Sequence, residues 1–425
     1  MTRPLEYRND RGYRADRKKA RIMAKPYVKI RFANGALGSV PASADGVVGM
    51  VVNGVAVAGK LELGKPYVLR DIDGLAALGV TGAATDANKY LYQCVEQFYA
   101  EAGKGAELWL MVVASATLPS AMLDPNNDNA KKLIRASKGR VRTVVALTSA
   151  TATVAEDAAL GSDVATAITK GQALGEWATD TLYAPVLVLI EGKGYTDAAA
   201  VALPDLTEGT DNRVGVVIGQ VMDGDTAVGS LAAVIAGRIA KIPVQRHIGR
   251  VRDGALKIES ATIDGTVEIA DADIDTVNDK GYITLTTHVG RSGYYVCDDH
   301  LATAVSDDYH SLARRRVGDK AYRIAHNTLL NYLNDEVACN GDGTIVAAVA
   351  KAWEADVVAA IANQMTANGE LGTDPADSRD KGVKCEVDRE QNVVSTGKVK
   401  VRIAVKPYGY AKYVEAELGF MAIES

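Results

Sequence analysis

Four short runs decide the fold: Leu-Trp-Leu-Met-Val-Val-Ala at 108–114, Val-Arg-Thr-Val-Val-Ala-Leu at 141–147, Pro-Val-Leu-Val-Leu-Ile-Glu at 185–191 and Val-Gly-Val-Val-Ile-Gly at 214–219. Their apolar residues are consecutive rather than alternate, so both faces of a strand built from them must be covered. Segments of helical period, 129–136 and 163–181, lie between them, and a helix joining two buried strands implies a parallel crossover. The spacing therefore predicts an open α/β sheet over 104–250 with helices on both faces, extended by an Ala-rich helix at 230–240.

On the N-terminal side, short strands at 47–57 and 65–69 and a helix over 86–102, with Leu91, Cys94, Val95 and Phe98 on one stripe, predict a small α+β region, 47–103. Residues 24–46 hold the alternating run Lys-Pro-Tyr-Val-Lys-Ile-Arg-Phe, which puts Val28, Ile30 and Phe32 on one face of a strand, and then a Gly/Ala/Ser-rich linker. That strand has no hairpin partner in sequence. Residues 1–23 are a basic extension with eight basic and three acidic residues. Met23 is a plausible alternative start.

On the C-terminal side, strands at 255–258 and 266–269 about Asp264-Gly265 predict a β insertion, 251–274. Residues 275–425 read as a separate α+β domain: strands at 281–289 and 294–298, helices at 312–337 and 345–367, a strand at 383–387 and a final hairpin of 397–407 with 411–422. In that hairpin Val399, Val401, Ile403 and Val405 share one face. No 20–50-residue period repeats, which excludes a solenoid.

The chain of 425 residues carries 48 Lys and Arg against 53 Asp and Glu, a net charge of −5. That is far from what a nucleic-acid coat driven by bulk charge requires. The four cysteines form no CxxC pair, which argues against a zinc or iron–sulfur site and a disulfide framework. No apolar run approaches the roughly 20 residues that span a bilayer, and no secretory signal precedes the first strand, so the expected compartment is the cytoplasm. Aromatic residues are mostly Tyr, 18 against three Phe and three Trp, a residue suited to half-wet boundaries.

Catalytic constellations are missing. Gly192-Lys193-Gly194 and Gly103-Lys104-Gly105 lack the spacing and the Ser/Thr of a phosphate loop, and neither a dinucleotide fingerprint nor a nucleophile elbow follows a strand. Asp298-Asp299-His300 with Asp307-Asp308 and His310 fits no metal-ligand frame. It reads as a solvated turn with Asp307 or Asp308 capping the helix through Leu312. His247, His288 and His326 are isolated in sequence. Arg314, Arg315, Arg316, Lys320 and Arg323 make a basic helical patch that would face solvent or grip an acidic partner.

In the last third, Asp275 to Tyr282, Thr284 to His288, Gly290-Arg291-Ser292-Gly293-Tyr294-Tyr295-Val296 and His300-Leu301 come in an order that resembles the tail sheath proteins of contractile phages and related injection systems. Asp308-Tyr309-His310 leads into the Arg-rich helix, and Lys406-Pro407-Tyr408 follows a β-rich tail that begins at Lys384 to Asp388. Pro26-Tyr27-Val28 and Asp45-Gly46-Val47-Val48-Gly49 look like a divergent branch found in phages and islands of Bacteroidetes-type hosts. Two features depart from the pattern: His300-Leu301 lacks the usual Arg, and the preceding Trp is missing.

The resemblance implies a multidomain architecture. The α/β domain would lie outside, 275–425 inside against a tube, and the terminal strands would cross into neighbouring copies. It makes Val28, Ile30, Phe32, Val399, Val401, Ile403 and Val405 inter-subunit strand contacts and Arg314, Arg315, Arg316, Lys320 and Arg323 the tube contact. The implied partners are further copies in stacked rings, an inner tail tube protein, and baseplate and tail terminator proteins. The implied setting is a host cytoplasm and then a virion tail or injection particle. No cofactor, metal, nucleic acid or membrane is expected. The competing readings are an α/β enzyme of unknown class and a shell-forming structural protein.

Overall fold

The computed structural model describes residues 45–156 and 158–420; the strand expected at Val28, Ile30 and Phe32 lies outside them. Its centre is a six-stranded sheet of β1 (Val48–Gly54), β2 (Pro66–Leu69), β3 (Leu108–Ala114), β4 (Thr143–Leu147), β5 (Leu187–Glu191) and β6 (Val214–Val217), in the order β2-β3-β1-β4-β5-β6. All neighbours are parallel except β2, which runs antiparallel to β3. Every residue of β1 and β4 is buried, as continuous apolar runs require of strands covered on both faces.

Helices α1 (Lys89–Ala102) and α3 (Leu231–Lys241) cover one face, and α2 (Asp163–Leu182) with the short helices Pro119–Leu123 and Ala130–Ala136 covers the other. Gly237 sets the approach of α3 to α1, since a Cβ there would stand 2.6 Å from the Phe98 carbonyl oxygen. At the same contact Arg238 Nε lies 2.7 Å from Glu101 Oε1. Both side chains are buried, the arrangement in which an ion pair must be fully satisfied. The second Glu101 oxygen accepts from the Lys257 amide, and Arg238 donates to the Gly254 and Ala255 carbonyls.

The sheet corrects the expected boundary at 103/104. β1 lies at its centre between β3 and β4, so the region 47–103 supplies the sheet rather than standing apart. The boundaries at 250/251 and 274/275 are crossed as well, because one apolar core runs from Val47 to Leu312. Ile283 bonds to Val216 and Ile218 and so continues the sheet beyond β6. The β insertion also differs: the strand is Ser260–Thr262, antiparallel to Gln220–Asp223, and Asp264-Gly265 turns a single bridge from Thr262 to Glu268.

A second, smaller core lies beyond Leu312. Helices α4 (Leu312–Leu329) and α5 (Ala347–Gln364) pack together, and β7 (Val383–Val387) pairs antiparallel with β8 (Val401–Val405) against α5. α4 ends at Leu329, eight residues before the expected Val337, and passes into a 3-10 turn at Leu330–Tyr332. No helix among the described residues is long and apolar enough to cross a membrane.

Candidate functional site

The expected terminal hairpin is replaced by another. β8 pairs with the strand before it, β7, in the register Val383↔Val405 to Val387↔Val401, and 406–420 forms no strand. The two strands share a period of two, with Val383 and Val387 buried and Val401, Ile403 and Val405 half-buried. The side chains of Val399, Val401, Ile403 and Val405 thus pack on the protomer's own core, beside Val357, Ile361 and Trp353.

Their backbone does the opposite. The ladder bonds the Lys406 amide to the Gly382 carbonyl and the Asp388 amide to the Lys400 carbonyl, so even-numbered residues of β8 face β7. The alternation of an antiparallel pair then turns the N–H and C=O groups of Val401, Ile403 and Val405 to the outer edge. That edge has no ladder partner among the described residues. The outer edge of β7 is partly closed, because the Glu354 carboxylate accepts from the Val387 amide at 3.1 Å.

Past β8 the chain runs along the body and then leaves it. Tyr410 donates to the Gln245 carbonyl at 2.6 Å, and Lys412 Nζ lies 2.7 Å from Asp298 Oδ2. From there Val414, Leu418 and Phe420 are 82%, 98% and 108% exposed. Val414-Glu-Ala-Glu-Leu-Gly-Phe420 alternates apolar residues with glutamates or glycine, a strand pattern whose apolar face is left uncovered.

Lys412 docks on a cluster that corrects the solvated-turn expectation. Asp298 and Asp299 are buried, and Asp298 accepts from His247, His300, Lys412 and the Asp299 amide. Burial alone would raise the Asp298 pKa, but His247 and His300 outweigh it and hold the carboxyl well below the usual range. The residue capping α4 is Ser311, whose Oγ accepts from the Arg314 amide, reinforced by Asp299 Oδ2 accepting from the Ala313 amide; neither Asp307 nor Asp308 does so.

His247, Asp298 and Asp299 bring ligand atoms within 4.8 Å of one another, yet the second ring nitrogen decides against a cation. The Gly249 amide donates to His247 Nδ1 at 3.0 Å, which leaves the proton on Nε2, facing Asp298 at 3.0 Å and Asp299 at 3.1 Å. Burial and the Gly249 amide, which can donate only to an unprotonated Nδ1, oppose the charged ring, whereas the two carboxylates favour it and raise the pKa to about 9. Neutral or charged, Nε2 carries a proton and has no lone pair to offer a metal. Sequence reading missed the cluster because its histidine lies 51 residues from the carboxylates.

The basic row is not a solvated face. Arg316 is buried and caps the C-terminus of α3, donating to the carbonyls of Ile239 and Ile242 at 3.0 Å and of Pro243 at 3.3 Å. Burial draws its guanidinium down to about 10. Arg315 clamps Asp319 at 2.6 Å and lies over the Tyr309 ring, and Asp319 also meets Arg213. Lys320 joins Asp45 to Glu370, both at 2.7 Å, Arg323 holds the other Asp45 oxygen, and Arg314 is half-buried. The row bolts the two cores together and is a poor candidate for the tube contact.

Open α/β sheets usually hold ligands at the carboxyl ends of the central strands where the order reverses. Here the end of β1 is tied to its neighbours, and a small cavity of about 70 Å³, lined by Thr148, Asp163 and Glu191 among others, lies beside the ends of β4 and β5 among the described residues. Asn53, at the end of β1, donates to the carbonyls of Ala114 and Thr117 and accepts from the Ser149 amide. It closes the crevice between β3 and β4.

Set against solved structures, this fold is similar to those of contractile tail sheath proteins. It matches the anti-feeding prophage helical sheath in its contracted state with a TM-score of 0.62 over 94% of this chain and 99% of that one, at 14% identity. A chain of the anti-feeding prophage baseplate matches at 0.58 over 94% and 100%, with 14% identity. The contracted PVC sheath complex of an extracellular contractile injection system matches at 0.56 over 94% and 98%, with 16% identity. The chain belongs to the DUF2586 family: the profile of its N-terminal domain matches residues 26–300 and that of its C-terminal domain residues 308–424. No match was found among curated proteins.

Proposed function

We propose that this chain is the structural subunit of a contractile tail sheath, without catalytic activity, that polymerises around an inner tube by exchange of strands between copies. One observation carries the reading: among the described residues, the open edge of β8 and the exposed alternating segment 414–420 both lack a strand partner. Each backbone bond gained there contributes about 1 kcal/mol net, supplemented by burial of Val414, Leu418 and Phe420 at about 25 cal/mol per Å². Donor and acceptor surfaces differ, so the contact is heterologous and propagates as stacked rings or a helix. The strand at Val28, Ile30 and Phe32 is the second donor in this reading.

The partners are the inner tail tube, the baseplate and a tail terminator; the baseplate is supported by the likeness to a baseplate chain. Contraction is a rigid-body rearrangement in which strand bonds persist while the 36–45 linker and the segment before Lys398 absorb the change in backbone angles. Assembly takes place in the host cytoplasm, and the branch is the Bacteroidetes-type one suggested by residues 26–28 and 45–49. Asn53 in the sheet crevice supports a structural role over an enzymatic one.

The test is removal of residues 413–425. The full chain should form hollow cylinders or cog-like rings in negative stain, and the truncated chain should stay monomeric with an unchanged melting temperature. Cylinders from the truncated chain would remove the arm from the mechanism, and flat sheets or closed shells from the full chain would favour a shell protein.

A further inference from the structure

The amino ends of β4 and β5 open on a cleft of about 710 Å³ whose charged lining residues are basic apart from Asp45. Arg135, Lys138, Arg140 and Arg142 line it from one side and Lys320, Arg323 and His326 from α4. The acids that meet these cations are few. Asp45 and Glu370 are engaged by Lys320 and Arg323, and Glu107 by Arg140 at 2.6 Å. Arg135, Lys138 and Arg142 have no salt bridge among the described residues, and Arg142 Nε is buried without a hydrogen-bond partner there. Arg135 lies over the Trp177 ring instead.

Two of the three non-glycine residues with left-handed backbone among the described residues, Lys138 and Tyr183 at φ 52°, border this cleft. Each occupies a helix end where glycine would be free of strain. Tyr183 stacks on His326 at 4.5 Å, so the mouth of the cleft is held by side chains kept at a conformational cost.

The opposite end of the sheet carries the opposite charge. Beyond the carboxyl ends of β5 and β6, the lobe of residues 264–279 exposes Glu268, Asp271, Asp273, Asp275 and Asp279, none of them in a salt bridge among the described residues. The neighbouring Lys280 spends its ammonium on the carbonyls of Val201 and Leu203. Asp197 accepts from the Asp273 amide at 3.1 Å and ties the lobe to the loop after β5. The two charge centres sit at opposite ends of one rigid sheet, so a protomer cannot bring its own together.

We infer that the basic cleft at 135–142 is a docking site for the acidic lobe 264–279 of a second copy of this chain. The occupant follows from charge complementarity and from the head-to-tail placement, which propagates rather than closes. The inference rests on the sheath reading and adds an electrostatic contact separate from the strand exchange.

The test is charge reversal and rescue. Arg135 and Lys138 are exposed, as are Asp271 and Asp275, so Arg135→Glu with Lys138→Glu, and Asp271→Lys with Asp275→Lys, should fold with melting curves like the parent. Each pair alone should raise the protein concentration needed for cylinders at least tenfold, and the four changes together should return it to within threefold. The parent's threshold should also rise between 50 and 500 mM salt, since exposed charges are screened. An unchanged threshold in folded variants, or a loss that the combination does not repair, would overturn the contact. So would pyrophosphate raising the melting temperature through Arg135 and Lys138 while assembly is indifferent to both, which assigns the cleft to a small anion. A parent that forms no cylinders at all counts against the sheath reading itself.

Discussion

Around the main sheet the edges are blunted, whereas at hairpin β7–β8 one is left bare among the described residues. On one side of the sheet β2 is four residues long and begins with Pro66, which has no N–H to offer. On the other, Ile283 pairs with Val216 and Ile218 beyond β6. The hairpin covers β7 in part with Glu354 and leaves β8 without a ladder partner among the described residues, although β8 packs one half-buried face on the core. A chain that closes the edges of its larger sheet and leaves the smaller one open is not careless about aggregation. In the proposed sheath, the bare edge is the one that would receive a strand from another copy.

The joint between these regions is where the comparison can be broken hardest. Arg316→Ala would leave the last carbonyls of α3 buried and unpaired, at a cost of about 4 kcal/mol in total. Urea titration should show that loss, and hydrogen exchange should place it in α3 and α4 together, because the side chain serves both cores. A loss under 1 kcal/mol would mean that water takes over the capping. A smaller and more local effect is expected for Trp353→Ala, which strips the cluster of Ile345, Ala350 and Val387 and the stacked Tyr332 at 4.3 Å. At roughly 3 kcal/mol, it should speed exchange in β7 and β8 and leave β1, β3 and β4 protected. Equal acceleration in the sheet would show that the two cores unfold as one.

Much of the sheet was legible because burial on both faces imprints consecutive apolar residues, and the strand at 383–387 and the helix from Leu312 were legible by their periods. Strand order was not. β1 was read as part of another domain because parallel neighbours are distant in sequence, Val48 pairing with Leu108 and Thr143. The partner of β8 was sought ahead of it, although Val-Lys-Cys-Glu-Val at 383–387 and Val-Arg-Ile-Ala-Val at 401–405 already carry matching alternation. Charged residues misled most. Nothing local separates a buried Arg316 from an exposed arginine when its acceptors lie 73 to 77 residues upstream.

Asp298 gives the mildest test, and it bears on how the arm leaves the body. Its carboxyl is held below the usual 3.8 in the folded chain. The stabilisation is therefore fully present above about pH 4 and fades as acid protonates the group, first in the unfolded chain and then in the folded one. Asp298→Asn should cost about 1–2 kcal/mol at pH 7 through weaker bonds to His247, His300 and Lys412. The gap between parent and variant should be flat between about pH 5 and pH 6, narrow below pH 4, and narrow again above about pH 6.5, where the unfolded chain loses the His247 proton that the folded pair with Asp298 retains. A gap that stays constant down to pH 2.5 would show that Asp298 acts through shape rather than charge. Loss of the Lys412 anchor should leave the sheet unaffected and loosen only residues 406–412, because that carboxylate is the only ion-pair partner of Lys412 among the described residues.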